Sequence, residues 1–136
     1  MLTDEKLKQE QADEEMINQA FEHLLQSYLT SKHRRKVEII TKAFNFAKQA
    51  HKGVKRRSGE PYIMHPIAVA QIACSEIGLG STSICAALLH DVVEDTDYTV
   101  EDIERIFGHK IASMVDGLTK MSGVFNADTS AQAEYF

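Results

Sequence analysis

Cysteine is scarce in this chain of 136 residues, which contains only Cys74 and Cys85. The two do not form a CxxC pair, and each lies in an apolar helical stretch, which is typical of a buried, reduced thiol. The sequence therefore argues against a disulfide-stapled domain and against a zinc knuckle. Neither cysteine is predicted to take part in chemistry.

Long apolar runs and an excess of basic residues are also missing. No uninterrupted apolar stretch approaches the ~20 residues that a membrane-spanning helix requires, and the N-terminus is acidic and polar, unlike a signal peptide. These absences predict a cytoplasmic protein with no membrane partner. The formal net charge of -5 argues against a general nucleic-acid surface, although a local basic patch can still bind a small anion.

Strand patterns are absent as well, because no segment keeps a polar and apolar alternation. Apolar residues instead recur at helical spacing, and a hydrophobic content of 43% can supply one core. The chain is therefore predicted to be all-α, a compact multi-helix domain. The predicted helices cover about 16–28, 37–51, 66–77, 81–95, 100–107 and 111–121, the last ending at Ser122-Gly123, with Thr3 to Asp13 as a short helix or a frayed leader.

Particular residues predict where the helices begin. Pro66 suits the first turn of a helix, which places His65 just outside that helix. Ser81 or Thr82 is expected to cap the following helix. Thr99, with an acidic residue three positions on, has the spacing of a near capping box.

The residues best suited to chemistry gather in one predicted helix, in the run from Ala86 to Asp97. The spacing i, i+1, i+4 and i+5 places four polar residues on one side of that helix: His90, Asp91, Glu94 and Asp95. Negative charge is disfavoured at a helix C-terminus, so a cation is expected nearby. A solvated helix end with a satisfied histidine is the alternative. The Glu-Asp pair one turn after His-Asp favours a metal site instead, with two carboxylates left for proton handling.

The segment from His51 to Pro66 is predicted to be a loop, because it is rich in glycine and proline. It carries four basic residues: Lys52, Lys55, Arg56 and Arg57. Ordinary solvated charge is one interpretation of this loop, and a binding site for an anion is the other.

Together these motifs resemble the hydrolase domain of the long RelA/SpoT-type alarmone enzymes, which belong to the HD superfamily of metal-dependent phosphohydrolases. The matching runs follow the family's order and are Ala50 to Gly53, Arg56 to Pro66, Ala86 to Asp95, Phe107-Gly108 and Val115 to Lys120. The resemblance implies an HD hydrolase domain over residues 37–136, preceded by a helical leader over residues 1–36. It also implies hydrolysis of guanosine tetra- and pentaphosphate, with release of pyrophosphate from the ribose 3′ position. The family usually carries a nucleotide synthetase domain further along the chain.

The resemblance also assigns roles in a metal site. It implies three metal ligands, His65, His90 and Asp91, with manganese as the expected ion. Two imidazoles and a carboxylate would accept zinc or iron equally well. Glu94 and Asp95 become the pair that orients or deprotonates the attacking water.

The basic loop becomes the substrate site in the same comparison. The residues expected to bind the guanine nucleotide are Lys55, Arg56, Arg57 and Ser58. Arginine suits this role because it stacks on rings and contacts phosphate through two hydrogen bonds.

The remaining histidines have no partners in this pattern. His51 lies at a helix end and is predicted to be structural or capping rather than a ligand. His23, His33 and His109 are predicted to be surface residues. Lys120 lies in a matching run, but the sequence assigns it no role.

The resemblance is incomplete at the C-terminal end. The family's fourth ligand is an aspartate on a later helix, and neither Asp116 nor Asp128 matches its motif. Residues Ser130 to Phe136 have the pattern of a further helix that stops abruptly. We therefore expect a fragment of a longer protein, one that by itself binds metal weakly or turns over slowly. Any ribosome association would require parts outside this sequence.

Two other functions stay open. One is a regulatory HD module that senses nucleotide or holds a synthetase domain inactive. Degenerate modules of that kind are expected to lose the His-Asp or Glu-Asp residues, and this chain retains both pairs. The other is an HD phosphohydrolase that acts on a different nucleotide, against which the Arg-Arg-Ser-Gly-Glu-Pro-Tyr loop favours the alarmone.

Overall fold

A computed structural model describes residues 3–31 and 36–128, with side chains described as far as residue 120. These ranges contain helices and no strand, which confirms the all-α prediction. The helices are α1 (Asp4–Leu29), α2 (Val37–Ala50), α3 (Met64–Ser75), α4 (Ser81–Asp95), α5 (Val100–Phe107) and α6 (His109–Asp128). None of them is both long enough and apolar enough to cross a membrane.

Helix α4 lies at the centre of the fold, where it packs against α2, α3 and α6. Its buried residues include the whole run from Ile84 to Leu89 and also Val92. Such a run is apolar on every side because the helix has neighbours on several sides. The packing of the core therefore fixes the backbone that carries the ligand-type residues at its C-terminal end.

Helix α1 belongs to the same hydrophobic core as the other helices. It contributes Ile17, Phe21, Leu24 and Tyr28, and the ring of Phe21 stacks on Phe44 of α2 with centroids 3.9 Å apart. The predicted leader over residues 1–36 thus includes a helix that packs on α2 and α3. Whether a domain boundary lies at residue 36 stays a prediction.

The N-terminal segment corrects one expectation, since Thr3 to Asp13 is not a separate short helix or a frayed leader. Thr3 accepts a hydrogen bond from the Lys6 backbone N–H (3.2 Å), and α1 then continues without a break to Leu29. The side chain of Asp13 is buried. The N-cap at Thr3 and the buried side chain of Asp13 stabilise this segment, although it has few apolar residues.

The start of α3 was predicted wrongly. The helix begins at Met64, so His65 is its second residue rather than the residue outside it. Pro66 is then the third residue. The N–H groups of the first helical turn have no acceptor within the helix. A proline in that turn, which lacks an N–H group, therefore costs the helix no hydrogen bond.

Two other helix ends also differ from the prediction, whereas α5 does not. Gly80, not Ser81 or Thr82, is the N-cap of α4, and its carbonyl accepts the Ile84 N–H (3.1 Å) without a side-chain cap. Helix α6 continues through Ser122-Gly123 to Asp128, because a single glycine weakens a helix by only about 1 kcal/mol. The capping box of Thr99 and Asp102 is confirmed, and Gly108 ends α5 at φ +96°. The predicted helix at Ser130 to Phe136 lies outside the described residues.

Candidate metal centre

The C-terminal end of α4 carries the polar side chains of the predicted site. His90 is half-buried, Asp91 is buried and Glu94 is exposed. Each offers one ligand-type atom, and the three atoms lie within 4.8 Å of one another. Helical spacing produces this group, because residues i and i+4 share a face and residue i+1 is displaced by about 100° around the axis.

His90 and Asp91 approach each other closely. The Nε2 atom of His90 lies 3.1 Å from Oδ1 of Asp91. The Nδ1 atom of His90 lies 3.3 Å from the carbonyl oxygen of Ala87. If the ring carries its proton on Nδ1, it donates to that carbonyl and keeps a lone pair on Nε2 that can bind a metal. In that tautomer a cation in contact with both Nε2 and Oδ1 would remove the repulsion between them.

Asp91 supplies the observation that points most directly to a ligand. Asp91 is 5% exposed, and its Oδ2 atom is buried without a hydrogen-bond partner among the residues that the structure describes. Burial raises the pKa of Asp91, while His90 and His65 oppose that shift. A buried carboxylate oxygen is costly unless a donor or a cation satisfies it. Imidazole nitrogen and carboxylate oxygen around this atom fit a divalent transition metal.

His65 approaches the same carboxylate from α3. Its Nε2 atom lies 3.9 Å from Oδ2 of Asp91, whereas His90 faces Oδ1. The backbone N–H of His65 donates to the Tyr62 carbonyl (3.0 Å), which fixes the first turn of α3 beside the site. The structure thus places two of the predicted ligands, His65 and His90, next to the carboxylate of the third, Asp91. His65 itself lies outside the compact group that contains Glu94.

Asp95 lies at the edge of the site next to Tyr62. The sequence analysis did not single out this tyrosine. Burial, the neighbouring Asp95 carboxylate, and the charges of Asp91 and Glu94 hold the pKa of Tyr62 well above its usual range. Its hydroxyl therefore stays protonated and faces the carboxylates as a donor. The one signal in the sequence is that Tyr62 lies three residues before His65, a separation that places two side chains on one side of a turn.

His51 is buried behind Tyr62. It is the C-cap of α2, and its Nδ1 atom lies 3.1 Å from the Ala47 carbonyl oxygen. Its ring centroid lies 4.9 Å from that of Tyr62, and the Tyr62 centroid lies 6.3 Å from that of His65. This position agrees with the predicted structural role. Its Nε2 atom has no hydrogen-bond partner within the described part of the chain.

The predicted substrate loop is a narrow hairpin over residues 54–62, which we call the basic hairpin. The Tyr62 N–H donates to Val54 (2.9 Å), and the Arg56 N–H donates to Glu60 (2.9 Å). Gly59 closes the turn at φ +93°, a conformation that favours glycine. The tip of the basic hairpin is exposed to solvent.

The four predicted substrate residues of the basic hairpin have different surroundings. The Lys55 ammonium is bound to the carboxylate of Asp13 on α1. Nη1 of Arg56 lies 3.3 Å from Oε1 of Glu60. Arg57 and Ser58 are exposed, and neither side chain has a polar partner among the described residues. Arg57 is therefore the cation of the tip that is most available to an anion.

The other polar residues considered in the sequence lie apart from this group. The Lys120 ammonium binds Asp116 one turn earlier (3.0 Å) and is exposed. His23 is exposed, and so is His109, whose Nδ1 atom lies 3.6 Å from Glu104. His33 lies outside the described residues. The structure gives Lys120 no contact with the metal centre.

A family model described as HD domain matches residues 43–135 of the chain. This range includes the basic hairpin and all five predicted metal-site residues.

Three curated relatives show how far the similarity extends. The chain is 48% identical over 99 residues to a probable guanosine-3′,5′-bis(diphosphate) 3′-pyrophosphohydrolase of Synechocystis, which covers 72% of this chain and 13% of that protein. It is 45% identical over 112 residues to a guanosine-3′,5′-bis(diphosphate) 3′-pyrophosphohydrolase of Vibrio cholerae, covering 82% and 15%. It is 41% identical over 119 residues to the bifunctional (p)ppGpp synthase/hydrolase SpoT of Escherichia coli, covering 87% and 16%. The chain thus spans only about a seventh of the length of these relatives.

Proposed function

Because this chain belongs to the HD domain family, we propose that it binds a divalent metal ion and hydrolyses the 3′-diphosphate of guanosine tetra- and pentaphosphate. One observation carries the proposal, namely the buried Oδ2 atom of Asp91, which has no donor in the described part of the chain and lies 3.9 Å from Nε2 of His65. The names of the three relatives support the choice of substrate. A regulatory module would have no need to keep a buried carboxylate in this state.

We propose His65, His90 and Asp91 as the metal ligands, with Glu94 beside them. Manganese is the proposed ion, although zinc and iron accept the same donors. When bound, a divalent ion lowers the pKa of water and screens negative charge that develops on phosphate oxygens. The Asp91 carboxylate faces both imidazoles, with Oδ2 3.9 Å from His65 and Oδ1 3.1 Å from His90.

Glu94 and Asp95 are the proposed general bases. Both are exposed at the end of α4, so either carboxylate can orient a water molecule and accept its proton. The oxygen of that water forms a bond to the phosphorus attached to the ribose 3′ oxygen. The bond between that phosphorus and the 3′ oxygen breaks, pyrophosphate leaves, and the 3′ oxygen gains a proton. We propose that the protonated Tyr62 hydroxyl, which lies beside Asp95, donates a hydrogen bond to this carboxylate.

The basic hairpin is the proposed nucleotide site. Arg56 and Arg57 would stack on guanine or contact phosphate, and Ser58 would add a hydroxyl contact. Lys55 belongs to the same proposed site, although its ammonium is bound to Asp13. The exposed guanidinium of Arg57 makes it the residue of this set with the largest expected contribution to binding.

Several proposals concern the protein as a whole. We propose that this chain is part of a longer cytoplasmic enzyme, in which residues 1–36 form a leader, residues 37–136 belong to the hydrolase domain, and a synthetase domain is joined to them. The guanine nucleotide is then its small-molecule partner. Support comes from the SpoT relative, which is named as both synthase and hydrolase.

The test compares two histidine substitutions in the protein that contains this chain. His90→Ala should reduce pyrophosphate release from guanosine tetraphosphate to background, because it removes a ligand, while any synthetase activity is kept. His109→Ala is the matched control, since His109 is exposed on α6. Both variants are assayed with added manganese, together with their metal content.

Unchanged hydrolysis by His90→Ala would refute the assignment. A panel of nucleotides separates the other two functions. A regulatory module would bind guanosine tetraphosphate without metal-dependent turnover by the wild type, and a hydrolase of another nucleotide would prefer that nucleotide in the panel.

A further inference from the structure

A buried carboxylate on α1 lies far along the chain from the predicted site. Asp13 is 8% exposed, although its neighbours on α1 are largely polar and exposed. Its Oδ1 atom accepts a hydrogen bond from Nε2 of Gln9 (2.9 Å), and its Oδ2 atom binds the Lys55 ammonium. The bond to Lys55 lowers the pKa of Asp13, which keeps the carboxylate charged. Asp13 therefore has a hydrogen bond or an ion pair on each oxygen.

Lys55 connects this carboxylate to the basic hairpin. It lies two residues before Arg57, and its backbone forms the bridge to Pro61 that closes the hairpin. The other ion pair of the hairpin, between Arg56 and Glu60, stays within the hairpin. Among the residues that the structure describes, the Asp13 bond is the one side-chain polar contact that joins residues 54–60 to a helix.

We propose that Asp13 is a positioning residue for nucleotide binding, because its ion pair with Lys55 fixes the basic hairpin against α1. The inference rests on the proposed function, since it assumes that the hairpin binds the nucleotide. Lys55 then acts by holding Arg57 and Ser58 in place rather than by contacting phosphate. Without the pair, the tip samples more positions and must be ordered when the nucleotide binds.

The opposite role for Lys55 makes the opposite prediction. If its ammonium contacts phosphate directly, Asp13 competes with the nucleotide for that ammonium. Removing the Asp13 charge would then release Lys55 and strengthen binding. The sign of the change in affinity thus separates a positioning carboxylate from a competing one.

The experiment uses Asp13→Asn in the full chain, with Glu14→Gln as the matched control. Glu14 is the next residue on α1 and forms an ion pair with Lys48 of α2, so the control also removes one acidic charge and one contact between helices. For Asp13→Asn we expect KM and the dissociation constant of guanosine tetraphosphate to rise about three- to tenfold, with kcat unchanged. For Glu14→Gln we expect no change in either constant.

A second readout does not depend on activity. The Arg56 N–H donates to Glu60 and the Gly59 N–H donates to Arg56, so these amides report whether the hairpin is closed. Without nucleotide, Asp13→Asn should raise their hydrogen-exchange rates about threefold or more, and Glu14→Gln should not. This result would hold even if the proposed substrate were wrong, which separates the failure of one proposal from the failure of the other.

A charge exchange tests the pair directly. The double variant Asp13→Lys/Lys55→Asp should return hairpin exchange and KM toward the wild-type values, because it restores an ion pair at the same place. Lys55→Gln changes an exposed side chain and is the second variant to use if Asp13→Asn does not fold. It should also raise the hydrogen-exchange rates of the hairpin amides. Tighter nucleotide binding by Asp13→Asn, or unchanged hairpin exchange in both Asp13→Asn and Lys55→Gln, would overturn the proposal.

Discussion

Two buried carboxylates, Asp13 on α1 and Asp91 on α4, differ in how their charge is satisfied. They are almost equally hidden from solvent, at 8% and 5% exposed. Asp13 has an ammonium and an amide as partners, and its pKa is lowered. Asp91 has imidazoles beside it and one oxygen that finds no donor in residues 3–31 and 36–120, and its pKa is raised by burial.

This difference shows that burial of an acidic residue does not by itself indicate function. A carboxylate with all its partners supplied by the protein stabilises the fold and holds neighbouring segments together. A carboxylate that lacks a partner for a buried atom is suited to a ligand from outside. By this criterion Asp91 fits the role of a metal ligand that we propose for it, and Asp13 fits the proposed role of supporting the hairpin.

The largest expected difference between the two carboxylates is in their effect on metal affinity. Asp91→Asn should weaken manganese binding about 100-fold or more, because it removes the negative charge that faces the ion. Asp13→Asn should change that affinity by no more than about twofold, since its oxygens already have partners. Isothermal titration of both variants with manganese measures the difference. Equal losses in the two variants would show that the two carboxylates do not differ in the way described.

A medium effect is expected on the stability of the metal-free protein. Asp13→Asn should lower the Tm by about 5 °C at neutral pH, because it leaves Lys55 without its partner. Asp91→Asn should not lower the Tm when a chelator is present, because it removes a buried charge that the fold satisfies poorly. Thermal unfolding with and without manganese measures both changes. A lower Tm for metal-free Asp91→Asn would contradict this prediction.

The contribution of Asp13 to the stability of the protein depends on pH, and its pKa decides the direction of the change. The pKa of this carboxyl is lowered from its usual 3.8, so its contribution to stability is full above that pH and is lost as the pH falls through the lower, folded-state pKa. The difference in Tm between the wild type and Asp13→Asn should thus be constant from about pH 5 to pH 8 and should disappear in stronger acid.

The smallest effect concerns the half-buried Asp102 of the capping box. Hydrogen bonds from Thr99 lower the pKa of the Asp102 carboxyl group. Thr99→Ala should lower the Tm by about 2–4 °C through loss of the cap, with no change in manganese affinity. Ser113→Ala, another exposed hydroxyl residue, is the control. A change in metal affinity for Thr99→Ala would show that α5 is coupled to the site more strongly than its packing suggests.

The sequence was sufficient for the features that depend on short separations. Periodicity predicted the helices, spacing within one helix placed His90, Asp91 and Glu94 together, and the Thr99 capping box was recognisable from residues three apart. The proximity of His65 to this group was implied only by the resemblance, and its position in the first turn of α3 was predicted wrongly, because proline fits several positions of a first turn.

Features that depend on long separations could not be predicted. Asp13 and Lys55 are 42 positions apart in the sequence, and a charged residue in a polar segment gives no sign that it will be buried. The packing of Tyr62 between His51 and His65 likewise depends on how the hairpin folds back between α2 and α3. Tertiary packing, rather than local preference, decides which polar residues in such segments acquire a structural role.

Helix α4 combines two tasks that many enzymes divide between a rigid framework and surface loops, since it fills the interior with Ile84 to Leu89 and presents His90 and Asp91 directly afterwards. A repacked interior would therefore shift the ligand atoms along with the backbone. Efforts to make this protein more heat-resistant should therefore leave the buried residues of α4 unchanged. Substitutions in helices that do not carry His90 and Asp91 are the better starting point, because a change in side-chain volume there does not shift these two residues directly.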